Sequence, residues 1–187
     1  LSYNNIMDSD AAWNMVSDFI LPAAVIMKHA NPCGAATASQ DLSEAYRKAM
    51  ETDPISAFGG IVALNRPIDK KTAEEIAKTF LEVIIAPGFE EEALNLLQAK
   101  KNVRLLQISG EYQRECLGLD FRRVVGGLLV QERDMDSFDI RTAKIVTRRV
   151  PTEEEYQALD FAWRVVKHVK SNAIVFTARD QLVGVGA

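Results

Sequence analysis

Three short runs of purely apolar residues constrain the fold more than any other feature of this sequence. Ala23–Met27, Ile61–Leu64 and Val83–Ala86 contain no polar side chain. A strand with one face in water alternates apolar and polar residues, whereas a continuous apolar run of this length is typical of a strand buried on both faces. Stretches with helical spacing lie between the runs. This alternation predicts an α/β fold with a largely parallel sheet.

The remaining elements are predicted from spacing and capping patterns. Helices are expected over residues 8–20, 41–50, 72–81 and 90–101 and from residue 152 onward, and further strands are expected over 103–108 and 124–130, with a hairpin over 173–185. Asp41 with Glu44, Thr72 with Glu75 and Thr152 with Glu155 have the spacing of capping boxes. The last helix carries an apolar stripe of Tyr156, Leu159, Trp163 and Val166. The polar segment 134–149 indicates a connection between two parts of the chain.

Composition excludes several classes of protein. The 187 residues include 48% hydrophobic and 26% charged residues, with a net charge of −4. These values exclude intrinsic disorder, and the negative charge offers no long-range attraction to nucleic acids or anionic membranes. No apolar run approaches the roughly 20 residues of a membrane span. Two cysteines are too few for a disulfide scaffold. We expect a cytoplasmic protein with reduced thiols.

The ends of the sequence indicate a piece of a longer chain. The first residue is Leu1, and the last segment, 181–187, is apolar and rich in glycine. Natural termini more often end in polar residues that fray into solvent.

Lys28 and His29 form the leading candidate for chemistry. In open parallel sheets, ligands bind beyond the carboxyl ends of the strands, which directs attention to these two residues, to Asn65–Arg66 and to 87–88. An imidazole can act as a general base near neutral pH, and an ammonium can stabilise negative charge on a substrate oxygen. The alternative is a basic dipeptide that leaves a strand into solvent.

Two loops carry weaker signals. The small residues of 31–36 could present backbone N–H groups to a carbonyl or a phosphate, or they could form a tight turn. Ser56, Phe58 and Gly59 could form a stacking platform beside a close backbone approach, or a turn with a core phenylalanine. Cys33 is more typical of a small buried thiol than of a nucleophile.

Residues near the last helix also leave alternatives open. His168 lies where a cation favours the helix dipole, which indicates a structural role. Asn172 could hold a polar ligand or simply follow the end of the helix.

A zinc site of the nucleobase-deaminase type is excluded by spacing. Such a site needs H-x-E and P-C-x-x-C, but Ala30 and Asn31 follow His29, and Ala36 stands three residues after Cys33.

Several motifs, taken in order, resemble one family. They are residues 28–36, KHANPCGAA; 53–65, DPISAFGGIVALN; 83–89, VIIAPGF; 170–175, KSNAIV; and 184–187, GVGA. Together they resemble the transformylase domain of the bacterial AICAR transformylase/IMP cyclohydrolase family, and the resemblance covers essentially the whole chain. It implies a three-layer cytidine deaminase-like α/β sheet with helices on both faces, without the deaminase zinc site. It also implies a first deaminase-like subdomain over 1–135, followed over 136–187 by a connecting helix and the start of a second subdomain.

The resemblance implies transfer of a formyl group from 10-formyltetrahydrofolate to the 5-amino group of AICAR, without a metal. His29 would take the proton from the amine, Lys28 would support the proton transfers and the oxyanion, and Asn172 would orient the aminoimidazole carboxamide. The residues implied to shape or bind the nucleotide site are Ser56, Phe58, Gly59 and Glu82. The partners implied are the nucleotide, the folate co-substrate and a second copy of the longer protein in a homodimer, with no nucleic acid and no membrane.

Departures from the family limit what this chain is expected to do alone. The Gly-Gln-x-Ser-Arg motif that follows in the family, the second half of the domain and the cyclohydrolase domain are absent from the sequence. We therefore expect weak or no turnover from these residues by themselves. The rival hypothesis is a non-catalytic nucleotide-binding or assembly module. A different deaminase-like enzyme is a third hypothesis, against which the missing zinc ligands argue.

Overall fold

The computed structural model describes residues 1–108, 118–135 and 137–187. Its helices are α1 (Tyr3–Val16), α2 (Leu42–Thr52), α3 (Pro54–Ala57), α4 (Lys70–Ile76), α5 (Glu91–Gln98) and α6 (Glu153–Val166), with a 3-10 helix at Ile140–Thr142. Its strands are β1 (Ala23–Met27), β2 (Pro32–Thr37), β3 (Ile61–Leu64), β4 (Val83–Ala86), β5 (Arg104–Gln107), β6 (Leu119–Val124), β7 (Gly127–Glu132), β8 (Ile174–Thr177) and β9 (Leu182–Gly186).

The central sheet has five strands in the order β2-β1-β3-β4-β5. β3, β4 and β5 are parallel to one another, whereas β1 is antiparallel to β2 and to β3. The sheet is therefore mixed, and β1 alone opposes the direction of the other four strands. The predicted α/β class is confirmed, whereas the expected parallel pairing holds only among β3, β4 and β5. The bounds of the three apolar runs match β1, β3 and β4.

Helices cover both faces of this sheet. Because successive side chains of a strand point to opposite faces, β1 sends Ala24 and Ile26 into one core and Val25 and Met27 into the other. The first core is closed by α2, α4 and α5, and the second by α1 and α6. The expected three layers are therefore observed, while a specific relationship to the cytidine deaminase fold stays a prediction.

The reversal of β1 determines which chain segments meet at each edge. Met27, at the carboxyl end of β1, pairs with Ile61 at the start of β3, and Ile61 pairs with Val83 at the start of β4. The segment after β1 therefore lies at the amino ends of the parallel strands, opposite to the edge that the carboxyl-end rule indicates.

The prediction of a loop or tight turn over residues 31–36 is wrong. Pro32–Thr37 form the buried strand β2, whose residues pair with β1 from Ala23↔Thr37 to Met27↔Pro32. All six residues of this strand are buried, so it is not an exposed turn that could offer its N–H groups to a phosphate. Small side chains allow this strand to lie beneath α2, whose residue Ala49 approaches Gly34 directly.

Three other predictions of elements need correction. The run 124–130 is not one strand: β6 and β7 form a hairpin that turns at Val125 and Gly126, where Gly126 has a φ of +86°. The cap of α4 is Asp69 rather than Thr72, since the Asp69 side chain accepts from the Thr72 N–H. α1 begins five residues earlier than predicted, at a capping box formed by Ser2 and Asn5.

The buried face of α6 also differs from the predicted stripe. Phe161 and Val165 are buried in the second core, whereas Leu159 and Trp163 are exposed. The predicted capping box of Thr152 and Glu155 is confirmed. The hairpin β8–β9 is confirmed as well, and it joins the sheet at an Ala36↔Gln181 bridge beside β2.

The division at residue 136 stays a prediction. Phe161, Val165 and Leu182, which follow it, share the second core with residues of β1, β3 and β4. Cys116 lies outside the described residues. Among the residues described, no helix is long and apolar enough to cross a membrane.

The contact between α2 and β2 makes a stability prediction. A Cβ added at Gly34 would collide with the carbonyl oxygen of Ala49 and lie 2.9 Å from its carbonyl carbon. Because both atoms belong to backbone, we expect Gly34→Ala to lower the free energy of unfolding by about 1–3 kcal/mol in urea denaturation. Gly127→Ala is the matched control, since nothing lies within 4 Å of its added Cβ. Equal stability of the two variants would contradict the close approach.

The environment of Cys33 makes a reactivity prediction. Burial, with a further contribution from the negative charge of Asp53, raises the pKa of the Cys33 thiol to about 11. An ordinary cysteine, with a pKa of about 8.5, is partly ionised at about pH 8, and the thiolate is the reactive form. In a Cys116→Ser variant we expect Cys33 to resist a disulfide reagent such as DTNB at that pH, and to react promptly once urea unfolds the chain. Prompt labelling of the folded variant would show that the thiol is accessible.

Candidate functional site

Lys28 and His29 leave the carboxyl end of β1 in a tight turn. The Lys28 N–H donates to the Asn31 carbonyl oxygen over 2.9 Å, and Ala30 has a φ of +55°. A positive φ is uncommon for a residue with a Cβ and costs conformational energy, so the surrounding structure imposes this turn. The peptide bonds Lys28–His29 and Ser171–Asn172 are both cis.

The Lys28 ammonium is held over the segment that precedes β3. Its Nζ donates a hydrogen bond to the Phe58 carbonyl oxygen. Gly59, the next residue, has a φ of +68°, and a Cβ built on it would lie 3.6 Å from Lys28 Nζ. Glycine therefore suits the left-handed backbone at this position, whereas a separation of 3.6 Å is an ordinary contact that a Cβ would not disturb. The structure brings these two predicted site residues together.

His29 is paired with a carboxylate from helix α1. Its Nδ1 lies 3.2 Å from Asp8 Oδ2. The two side chains differ sharply in environment, because 74% of the imidazole is exposed and only 9% of the Asp8 side chain is. The imidazole is thus fixed on one side and open to a ligand on the other.

Glu82 stands immediately before β4 at the same edge. The Asn5 Nδ2 donates to Glu82 Oε2 over 2.8 Å, and the Glu82 N–H donates to the Gly60 carbonyl oxygen over 2.9 Å. The side chain is only partly buried. A carboxylate in this setting can accept hydrogen bonds from hydroxyl groups of a ligand.

Two aromatic rings lie beside these polar groups. The ring centroids of Phe58 and Phe80 are 5.7 Å apart, with an angle of 54° between the ring planes. Phe58 is 59% exposed and Phe80 37% exposed, so neither is a core residue. The prediction that Phe58 could form a stacking surface is compatible with this geometry, and the alternative of a core phenylalanine is wrong.

Asn172 follows α6. The contact between its segment and the turn after β1 is made by Lys170, two residues earlier. The Asn31 Oδ1 accepts from the Lys170 N–H over 3.0 Å, which ties the segment before Asn172 to the turn that carries His29. The Asn172 side chain is exposed, and its Oδ1 accepts from the Ser171 hydroxyl over 3.3 Å.

Ser56 is engaged within its own turn. Its hydroxyl donates to Asp53 Oδ2 over 2.6 Å, and its N–H donates to Asp53 Oδ1 over 2.9 Å. Asp53 thereby caps α3, and these bonds lower the pKa of its carboxyl group. These bonds give Ser56 a structural role in the turn. The role of Ser56 in shaping a substrate pocket stays a prediction.

The other polar candidates serve the fold. Asn65, at the opposite edge, accepts from the Ala23 N–H through Oδ1 and donates through Nδ2 to the Phe19 and Leu21 carbonyl oxygens. The Nε2 of His168 lies 2.5 Å from Asp18 Oδ2, and the His168 side chain is 16% exposed. This environment agrees with the predicted structural role.

Asn5 and Asp8 also belong to this site, and neither was predicted from the sequence. The predicted helix over residues 8–20 places Asp8 at the helix terminus, where Asp8, Ser9 or Asp10 could cap it, and not on a buried face. The sequence does contain an indication of the true helix start, because Ser2 and Asn5 have the spacing of a capping box. This box places the first helical residue at Tyr3. Asn5, Asp8 and Ala12 then fall at intervals of three and four residues, on the buried face of α1.

The arrangement offers a base, a cation, a carboxylate and two aromatic surfaces within one edge of the sheet. These groups suit a planar, polar ligand with hydroxyl groups and a proton to lose. In the parts of the chain that the structure describes, no three histidine, cysteine, aspartate or glutamate side chains are grouped to hold a metal ion.

Curated proteins with closely similar sequences carry a common name. The chain is 53% identical over 186 residues to the bifunctional purine biosynthesis protein PurH of Thermoanaerobacter sp., and 54% identical over 190 residues to that of Parvibaculum lavamentivorans. It is 54% identical over 187 residues to the protein of the same name from Bacillus cereus. Each match includes the whole chain but only 35–36% of the relative, so the chain spans about a third of the length of these relatives.

The family model described as AICARFT/IMPCHase bienzyme matches residues 1–187. With this match over its full length, and with relatives more than 50% identical, the chain belongs to the AICARFT/IMPCHase bienzyme family.

Proposed function

We propose that this chain carries the amine-activating part of a formyl-transfer site in purine biosynthesis. The proposed reaction moves the formyl group of 10-formyltetrahydrofolate to the 5-amino group of AICAR. One observation carries the proposal: Lys28, His29 and Glu82, which come from two different strand ends, share one edge of the sheet with Gly59. Membership of a family named for this transformylase supports it.

The chemistry required is proton removal and oxyanion stabilisation. The amine nitrogen attacks the formyl carbon, a C–N bond forms, and the carbonyl oxygen of the tetrahedral intermediate carries the negative charge. His29 takes the proton from the amine, and the Lys28 ammonium stabilises the oxyanion. The oxyanion then collapses, the bond to the folate nitrogen breaks, and that nitrogen receives the proton held by His29 as tetrahydrofolate leaves.

The nucleotide is recognised by groups that flank this pair. The exposed Phe58 and Phe80 rings offer apolar surface to the aminoimidazole. The Glu82 carboxylate accepts hydrogen bonds from ribose hydroxyls, and the Asn172 amide, with its donor and acceptor, complements a carboxamide.

The proposal includes a homodimer of the longer protein. The His29 imidazole, with 74% of its surface exposed, leaves room for further groups to cover the reacting atoms. The alternative function is a nucleotide-binding or assembly module without catalysis, which would bind AICAR but not a folate analogue.

Nucleotide binding is tested by titrating AICAR into the chain in a calorimeter. Because a hydrogen bond to a charged group contributes about 1.5–3 kcal/mol, we expect Glu82→Gln to weaken binding by roughly ten-fold to a hundred-fold. Glu154→Gln is the matched control, since this exposed carboxylate lies in the first turn of α6. Equal affinities for both variants would remove Glu82 from the site. The absence of binding to folded wild-type chain would contradict the proposed nucleotide site in these residues.

Formyl transfer is tested with the chain at high concentration and with the Thermoanaerobacter relative. General base catalysis contributes about 10²–10⁴-fold, so we expect His29→Ala, or alanine at the aligned position of the relative, to reduce the transfer rate by that factor. AICAR affinity should change little. Cyclisation of the formylated product to IMP is followed in the same samples. Unchanged transfer accompanied by impaired cyclisation would assign these residues to the second activity in the family name.

A further inference from the structure

We infer that Asp8 is a positioning residue for His29: it holds the imidazole in the tautomer with the proton on Nδ1, which leaves the Nε2 lone pair as the base. The contact between the two residues is independent of any assigned activity. The use of Nε2 as the base rests on the proposed function.

The location of Asp8 is unusual for a carboxylate. It lies inside α1, on the buried face that also carries Asn5, Ala12 and Met15, and its side chain is 9% exposed. Burial of a carboxylate costs free energy unless a hydrogen-bond donor compensates for the lost water. The donor that the geometry provides is His29, whose Nδ1 lies 3.2 Å from Asp8 Oδ2.

The pairing determines where the proton resides on a neutral imidazole. An ionised carboxylate has no proton to donate, so Nδ1 must carry the hydrogen of this bond. Nε2 is then an acceptor on a side chain that is 74% exposed. A ligand amine can reach a base of this kind, and the buried carboxylate stabilises the imidazolium that forms when Nε2 takes the proton.

The second histidine of the chain provides an internal comparison. The sequence contains two histidines, and His168 faces Asp18 through Nε2 rather than Nδ1. The same reasoning places the proton of neutral His168 on Nε2. The two imidazoles of this chain are therefore expected to have opposite tautomers.

Nitrogen NMR of the chain labelled with ¹⁵N-histidine tests this inference. Spectra are recorded at about pH 8.5, above the value of about 6.5 at which unperturbed imidazoles titrate. We expect Nδ1 of His29 to resonate as a protonated nitrogen and Nε2 as an unprotonated one, with the reverse pattern for His168. In Asp8→Asn the His29 resonances should shift toward averaged values as the preference for one tautomer is lost.

Asp18→Asn is the matched control, because it removes the corresponding partner of the other histidine. It should change the His168 resonances and leave those of His29 in place. Unchanged His168 resonances in Asp8→Asn show that the variant has folded. A proton on Nε2 of His29 in the wild-type chain, or His29 resonances that do not respond to Asp8→Asn, would overturn the inference.

A kinetic measurement separates this inference from the proposed function. In the formyl-transfer assay Asp8→Asn should lower kcat by at least about ten-fold, up to the roughly 10²–10⁴-fold that general base catalysis contributes, with little change in AICAR affinity. If the NMR pattern holds but transfer does not depend on His29, the positioning contact stands and the proposed reaction fails. If transfer depends on His29 but the tautomer does not depend on Asp8, the inference fails and the reaction stands.

Discussion

The antiparallel direction of β1 is the constraint on which the candidate site depends. Had β1 run parallel to β3, the residues after it would have emerged beside Asn65, at the far edge of the sheet. Its reversal instead places Lys28 and His29 beside the segments that lead into β3 and β4. Those segments contain Gly59 and Glu82, so groups far apart in sequence meet without a long loop. β2 supports this arrangement because it pairs along the whole of β1.

Helix α1 supplies the side chains that hold two of the site residues in place. A helix that packs against a sheet usually presents apolar residues on its buried face, and Ala12, Met15 and Val16 do so here. In its first turns the same face carries Asn5 and Asp8, three residues apart and hence neighbours on the surface of the helix. Asn5 binds Glu82, the residue before β4, and Asp8 binds His29, the second residue after β1. One helix therefore orients polar groups from two different strands, and at the same time it closes the core beneath them.

Elements whose determining interactions are local in sequence are predictable from the sequence, and elements that depend on distant contacts are not. The bounds of β1, β3 and β4 were predicted because an uninterrupted apolar run fits a strand covered on both faces. The Thr152 and Glu155 capping box was predicted because both partners lie within one turn. β2 was missed because its small residues resemble a turn until α2 packs on them. The buried face of α6 was missed because its apolar residues surround much of the helix, and only contact with the sheet selects Phe161 and Val165.

The sequence by itself determined the layered α/β class, the three central strands and the candidate pair of Lys28 and His29, since each is expressed in a continuous run of residues. The tertiary structure alone decided the direction of β1, and with it the edge at which the pair meets Glu82. It also decided that Asp8 faces His29. Strand order and direction depend on contacts between residues that are far apart in the chain. A local sequence pattern does not contain information about these contacts. The identity of the polar groups is therefore a property of the sequence, whereas their convergence is a property of the fold.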